Sequence, residues 1–214
     1  MKLKHIATMK QAYAILVIIM LTILTILTGC SNKDLKDTYP KDLEISHNSN
    51  YQIIKLQPDW PVYHSVEEIV NASTNIYSGY VTDISFDIID YSTGMSDINP
   101  NSGSRNRTIF TVYSISLRKN YKGESPSEIK ICKIGGIYGY KEKEQYDLLR
   151  SAKIISDGVV GIFVCDDDCT LSIGNEYLFC ISRLGGDFDQ IINPYQFAHP
   201  IDSENAKNII DFLH

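Results

Sequence analysis

Asn75-Ile76-Tyr77-Ser78-Gly79-Tyr80-Val81-Thr82-Asp83-Ile84-Ser85-Phe86-Asp87-Ile88-Ile89 is a run in which Ile76, Tyr80, Ile84, Phe86 and Ile88 recur at even spacing. Side chains of a strand alternate between two faces, so this period predicts one long strand with an apolar face. Gly79 inside it has no side chain to pack and marks a bulge or a sharp bend. A first strand that is long and bent suits a small barrel.

On the N-terminal side, Ser65-Val66-Glu67-Glu68 has the form of a capping box and predicts a short helix from Val66 to Ser73. Val66, Ile69 and Val70 form its buried side. On the C-terminal side, a polar loop from Asp90 to Asn106 leads to a second strand, Thr108 to Arg118. There Ile109, Tyr113, Ile115 and Leu117 alternate with Phe110 and Val112. A turn at Tyr121-Lys122-Gly123 and Pro126 opens a third strand, Glu128 to Ile134, which ends at Gly135-Gly136. Lys141 to Lys153 reads as a helix with Tyr146, Leu148 and Leu149 as its apolar patch. Strands follow at Val159 to Cys165, Tyr177 to Arg183 and Phe188 to Tyr195, the last two joined by a Gly185-Gly186 hairpin. Ser203 to Leu213 closes the chain as a helix capped by Asp202 or Ser203.

Three strands, a helical segment and further strands is the order of an OB-like barrel, whose closure removes exposed strand edges. The expected fold is mainly β: a small OB-like barrel, closed or partly open, with one or two short helices and a C-terminal helix, over residues 51–214. Gly79-Tyr80-Val81, Thr111-Val112-Tyr113 before Lys122-Gly123, Gly135-Gly136 and Ile173-Gly174-Asn175-Glu176-Tyr177-Leu178-Phe179 together resemble a group of small extracytoplasmic proteins and lipoproteins of Gram-positive bacteria without assigned biochemistry. The likeness runs from about Ser65 to Phe197 and departs at Cys165, Cys169, Cys180 and the C-terminal helix. It implies the fold and no catalytic residue.

Lys2, Lys4 and Lys10 precede an apolar stretch, Ile15 to Leu27, that is short for a membrane span and suits a signal peptide. Leu27-Thr28-Gly29-Cys30 resembles the lipobox of bacterial lipoprotein precursors. The resemblance implies that residues 1–29 are a lipoprotein signal peptide, that Cys30 is lipidated, and that cleavage makes it the first mature residue. Residues 30–50 are polar and charged, with Pro40 and no apolar period, as in a flexible tether. The expected location is the cell membrane, lipid-anchored through Cys30, on the extracytoplasmic face.

The chain holds 20 Lys+Arg and 26 Asp+Glu for a net charge of −6, and three of the lysines lie in the leader. Nucleic acid is not an expected partner, because phosphate binding needs clustered cations. The most basic stretch, Arg105 to Arg107 with Arg118, Lys119 and Lys122, reads as a solvated loop and strand end.

Cys165-Asp166-Asp167-Asp168-Cys169 places two cysteines where a tight hairpin would set them at disulfide distance, which an extracytoplasmic site permits. Free thiols and a metal are the competing readings, although a lone pair at this spacing lacks further ligands. Cys132 and Cys180 lie on predicted strands, either paired or buried as free thiols. The three aspartates lack the glycine and distant acid of a calcium loop, and the Gly135-Gly136 segment lacks the spacing of a phosphate-cradling loop, so its glycines read as loop flexibility. His47, His64 and His199 fall in no zinc-protease or nucleophile-elbow pattern. Tyrosines and Trp60 offer material for an aromatic platform. No residue is assigned to catalysis, a cofactor or a metal. The expected function is a non-enzymatic binding module at the cell surface, its partner an envelope protein or cell-wall component. The alternatives are an envelope enzyme with a fold-assembled site and an inhibitor or immunity-type lipoprotein.

Overall fold

A computed structural model describes residues 51–124, 129–165, 171–183 and 188–214, all within one compact unit, Lys36–His214. The expected signal peptide (1–29), Cys30, the expected tether (30–50) and His47 lie outside the described residues. So do Asp166 to Cys169 and the Gly185-Gly186 turn.

The chain is mainly β. Its strands are β1 (Gln52–Leu56), β2 (Asn75–Asp90), β3 (Met95–Ser96), β4 (Arg107–Lys122), β5 (Ile129–Ile134), β6 (Gly161–Cys165), β7 (Glu176–Arg183), β8 (Asp189–Ile191) and β9 (Ala198–Pro200). Its helices are α1 (Val66–Ala72), α2 (Glu142–Ser151) and α3 (Glu204–Phe212). The strands β2, β4, β5, β8 and β7 pair in succession, and β7 pairs back to β2, so the sheet forms a ring. All neighbours in it are antiparallel except β5 and β8. β3 adds to β2 and β9 to β7.

The ring closes through β2. A strand of 16 residues would span about 50 Å if straight, more than one neighbour needs. It pairs with β4 along its length, with β7 over Asn75 to Tyr80 and with β3 at its end. Register shifts at Ile76/Tyr77, Ser78/Gly79 and Val81/Asp83 supply the bends. Gly79 stands where the sequence places a bulge. A Cβ there would lie 2.6 Å from the Ser116 carbonyl oxygen and 2.7 Å from Ile115 Cγ2, so only glycine lets the two strands approach.

The alternation of β4 is as its sequence predicts. Tyr113 and Ile115 join the main core with Tyr77, Val81, Ile84, Ile131 and Phe179, and Ile109 packs under α2. Phe110 and Val112 point the other way and pack with Ile89, Cys132 and Phe188. Leu149 of α2, with Ala152 at its C-cap and Ile155 beyond it, buries Ile88 and Ile109. α1 and α3 contribute Ile69, Val70, Ala206 and Ile209 to the main core.

The helix signals hold with one refinement. Ser65 Oγ accepts from the Glu68 amide at 3.1 Å, but the Glu68 carboxylate accepts from the His64 amide at 2.7 Å, one residue before the cap. Ser203, not Asp202, caps α3 by accepting from the Ala206 amide. At the other end of α1, Lys122 Nζ donates to the Val70 and Ser73 carbonyls at 2.6 and 2.7 Å, a cation where helix carbonyls are unpaired.

Two readings need correction. The expected strand from Phe188 to Tyr195 stops at Ile191, because Asn193 Oδ1 accepts from the Tyr195 and Gln196 amides and turns the chain at Asn193-Pro194. The glycines Gly135 and Gly136 do not serve flexibility. Gly135 has φ +87° and is held by the Thr111 hydroxyl and the Ile109 carbonyl. A Cβ on Gly136 would overlap Gln145 Oε1.

Candidate functional site

The thiols define what the interior does not offer. Cys132 and Cys180 are both free and buried. Cys132 lies opposite Gln190, and Gln190 lies opposite Ser182 on the strand that carries Cys180. Two strand spacings, about 9.5 Å, separate those strands, beyond disulfide reach. Burial pushes both thiols up to about 12, with the Asp189 charge adding to the effect at Cys132. At neutral pH such a thiol is a thiolate about one time in 10⁵, so neither is an activated nucleophile. Burial also raises the Tyr77 phenol, again with Asp189 contributing, and lowers the pKa of His199. Cys165 ends β6 and is buried. Its proposed partner Cys169 is outside the described residues.

The polar loop between β2 and β4 is built, not slack. Asp90 lies buried beneath it and accepts from the Ser92 amide, the Ser92 hydroxyl and the Ser104 hydroxyl. These bonds hold its carboxyl below the usual range. Arg107 enters from the other side, its side chain only 7% exposed. Its guanidinium donates to the carbonyls of Asp97 (3.2 Å), Asn99 (2.6 Å) and Ser104 (3.3 Å), and to Ala152 (3.3 Å) at the end of α2. A planar five-donor fork suits such a cluster of carbonyls. Arg107 is therefore a structural brace and not a solvated loop residue. The loop it holds exposes three large apolar side chains, Tyr91 (47%), Met95 (53%) and Ile98 (55%).

A second irregular segment, the strap of residues 57–64, is held at Pro61 and Tyr63 by neutral groups, with only its last residue, His64, bonded to a carboxylate. Gln196 Oε1 accepts from the Tyr63 amide at 3.1 Å, and Gln196 Nε2 donates to the Tyr63 carbonyl at 2.8 Å. The buried Asn193 Nδ2 donates to the Pro61 carbonyl at 3.0 Å and to Gln196 Oε1. Trp60 packs from the strap against the main core. Between strap and turn lies a cleft of about 260 Å³, lined by Leu56, Gln57, Pro58, Trp60, Cys165, Pro194 and Tyr195. A wider groove of about 730 Å³ runs along α2. Its charges face one another, with Lys143 bonded to Asp147 and Lys141 4.0 Å from Glu144.

The remaining sequence candidates are scattered. Arg118 bonds Tyr80 and Glu176 at 2.7 Å each on the ring surface, and Lys122 is engaged at α1. His64 lies near the start of α1, while His199 is buried on β9. Sequence reading missed the buried Asn193 and Gln145 and the half-buried Gln196, whose amides organise the turn, the start of α2 and the strap. Only the Asn193-Pro194 dipeptide carried a signal, as a turn former. Among the described residues no group of three or more His, Cys, Asp or Glu is placed to hold a metal, and no helix is long and apolar enough to cross a membrane. The chain matches no protein-family model, no curated protein and no solved structure.

Proposed function

We propose that this chain is a lipid-anchored binding module of the cell surface: an OB-like barrel on a tether from an acylated Cys30, meeting a partner in the envelope through the loop 91–106. The anchor rests on the lipobox-like Leu27-Thr28-Gly29-Cys30. The barrel reading is supported by the ring order β2-β4-β5-β8-β7 and by α2 lying between its third and fourth strands in sequence.

The observation that carries the binding role is the braced loop. Apolar side chains on a slack loop lose entropy when a partner orders them, whereas Arg107 and Asp90 have already fixed this backbone. Exposed apolar surface on a rigid mount is the usual signature of a contact site. The buried thiols of Cys132 and Cys180, both pushed up to about 12, add no reactive group.

Two experiments test this reading. Cells fed radiolabelled palmitate should label the wild type and not Cys30→Ala; an unlabelled wild type released to the medium would remove the anchor. A photo-crosslinker at Met95 or Ile98 in intact cells should capture a partner that the same probe at Asp211, exposed on α3, does not. Equal capture at both positions would remove the loop as the contact surface.

A further inference from the structure

The cleft between the strap and the Asn193-Pro194 turn is a second, separate site. We propose that it binds one neutral sugar ring of an envelope glycan, stacked on Trp60 and Tyr195.

The walls are fixed before any ligand arrives. Pro58 and Pro194 restrict the backbone on each side. Three hydrogen bonds between the Asn193 and Gln196 side chains and the Pro61 and Tyr63 backbone tie the strap to the turn, and two more, from the Tyr195 and Gln196 amides to Asn193 Oδ1, fix the turn itself. Trp60 is anchored in the core on one side and lines the cleft on the other. Tyr195 is 67% exposed, a large aromatic side chain left in water at the edge of a cavity. Exposed aromatic surface of this kind offers stacking area with little side-chain entropy to lose.

Size and charge select the ligand. At about 260 Å³ the cleft falls just under the roughly 300 Å³ at which drug-sized pockets begin, so it takes one ring and not a large cofactor. The described residues lining it include no Asp, Glu, Lys, Arg or His, a lining that matches an uncharged ligand. Gln57 supplies an amide that both donates to and accepts from hydroxyl groups. Among the described residues Trp60 Nε1 is buried and has no acceptor, so the part of the indole that lines the cleft is carbon surface. That surface suits the C–H face of a pyranose.

This proposal deepens the binding-module reading and rests on it for the glycan's location, so its test uses purified protein, in which loss of the anchor has no influence. Trp60 is the only tryptophan in the chain, and its emission reports on this cleft directly. The full chain, in a detergent without a sugar headgroup, is titrated with a β-1,4-linked N-acetylglucosamine tetramer. A saturable emission change with a dissociation constant of roughly millimolar or tighter is expected. Tyr195→Ala, a truncation at an exposed position, should weaken it about tenfold or more without changing the melting temperature. No saturable response, or equal binding by Tyr195→Ala, would overturn the proposal. A response to decaproline and not to the sugar would overturn it in favour of a peptide site.

Discussion

The loop 91–106 and the strap 57–64 both carry exposed apolar side chains on backbone that is mostly neither helix nor strand, yet they are held by opposite chemistries. The loop hangs on charges: one guanidinium reaches four carbonyls and one carboxylate collects amide and hydroxyl protons. From Trp60 to Tyr63 the strap hangs on two neutral amides and an indole packed in the core, and a carboxylate holds only its last residue, His64. A charged brace concentrates support in one side chain and depends on protonation state. Neutral amides spread it over several weaker bonds whose value is geometric.

Arg107→Met gives the largest expected effect. It leaves the loop carbonyls and the Ala152 carbonyl without their donor, and hydrogen bonds to charged groups are worth about 1.5–3 kcal/mol each without being additive. A loss of about 2–4 kcal/mol in urea unfolding is expected, with faster amide exchange confined to 91–106. Exchange that also rose across the strap would break the distinction between the two segments. Asn193→Ala should cost less, about 1–3 kcal/mol, and free the strap while leaving the loop protected.

Acid should separate them further. Burial lowers the pKa of His199, whose Nε2 lies 3.1 Å from the Gln196 carbonyl oxygen behind the strap. The unfolded chain therefore takes up this proton first, and stability falls as pH drops below about 6.5. Asp90 is shifted down instead. Its contribution is complete above the unfolded value of about 3.9 and is lost only as pH falls through the lower folded value. At pH 5, exchange should rise in the strap and not in the loop, and His199→Gln should abolish that rise. Loosening of the loop first would reverse the assignment.

The smallest effect at neutral pH is expected at the thiols. Site-resolved maleimide labelling should find native Cys132 and Cys180 inert at pH 8 and reactive once urea unfolds the chain. Since both are pushed up to about 12, stability should decline as pH rises past about 8.5, where unfolded thiols ionise first. Labelling of either native thiol at the rate of an exposed one would contradict their burial.

Much of the fold was legible because its signals are local. The β2 period, the Gly79 bulge, the two faces of β4 and the caps at Ser65 and Ser203 each follow from neighbouring residues. β1 and β9 were not legible, since β1 is a short strand whose described partner, β6, runs parallel to it from far along the chain, and β9 is three residues long. The candidate sites were least legible of all. Asn193, Gln196 and Arg107 look like ordinary polar surface residues, and only contacts across 132 or 133 residues for the amides, or 45 for Arg107, turn them into braces.

The linear sequence thus determined most of the elements and the conformational demand at Gly79, because periodicity, capping and backbone freedom act over a few residues. The closure of the ring, the isolation of Cys132 from Cys180 and the conversion of two polar segments into rigid mounts belong to the tertiary structure. Each depends on which distant carbonyls a side chain finds once the strands have packed, and desolvation then makes those few bonds decisive.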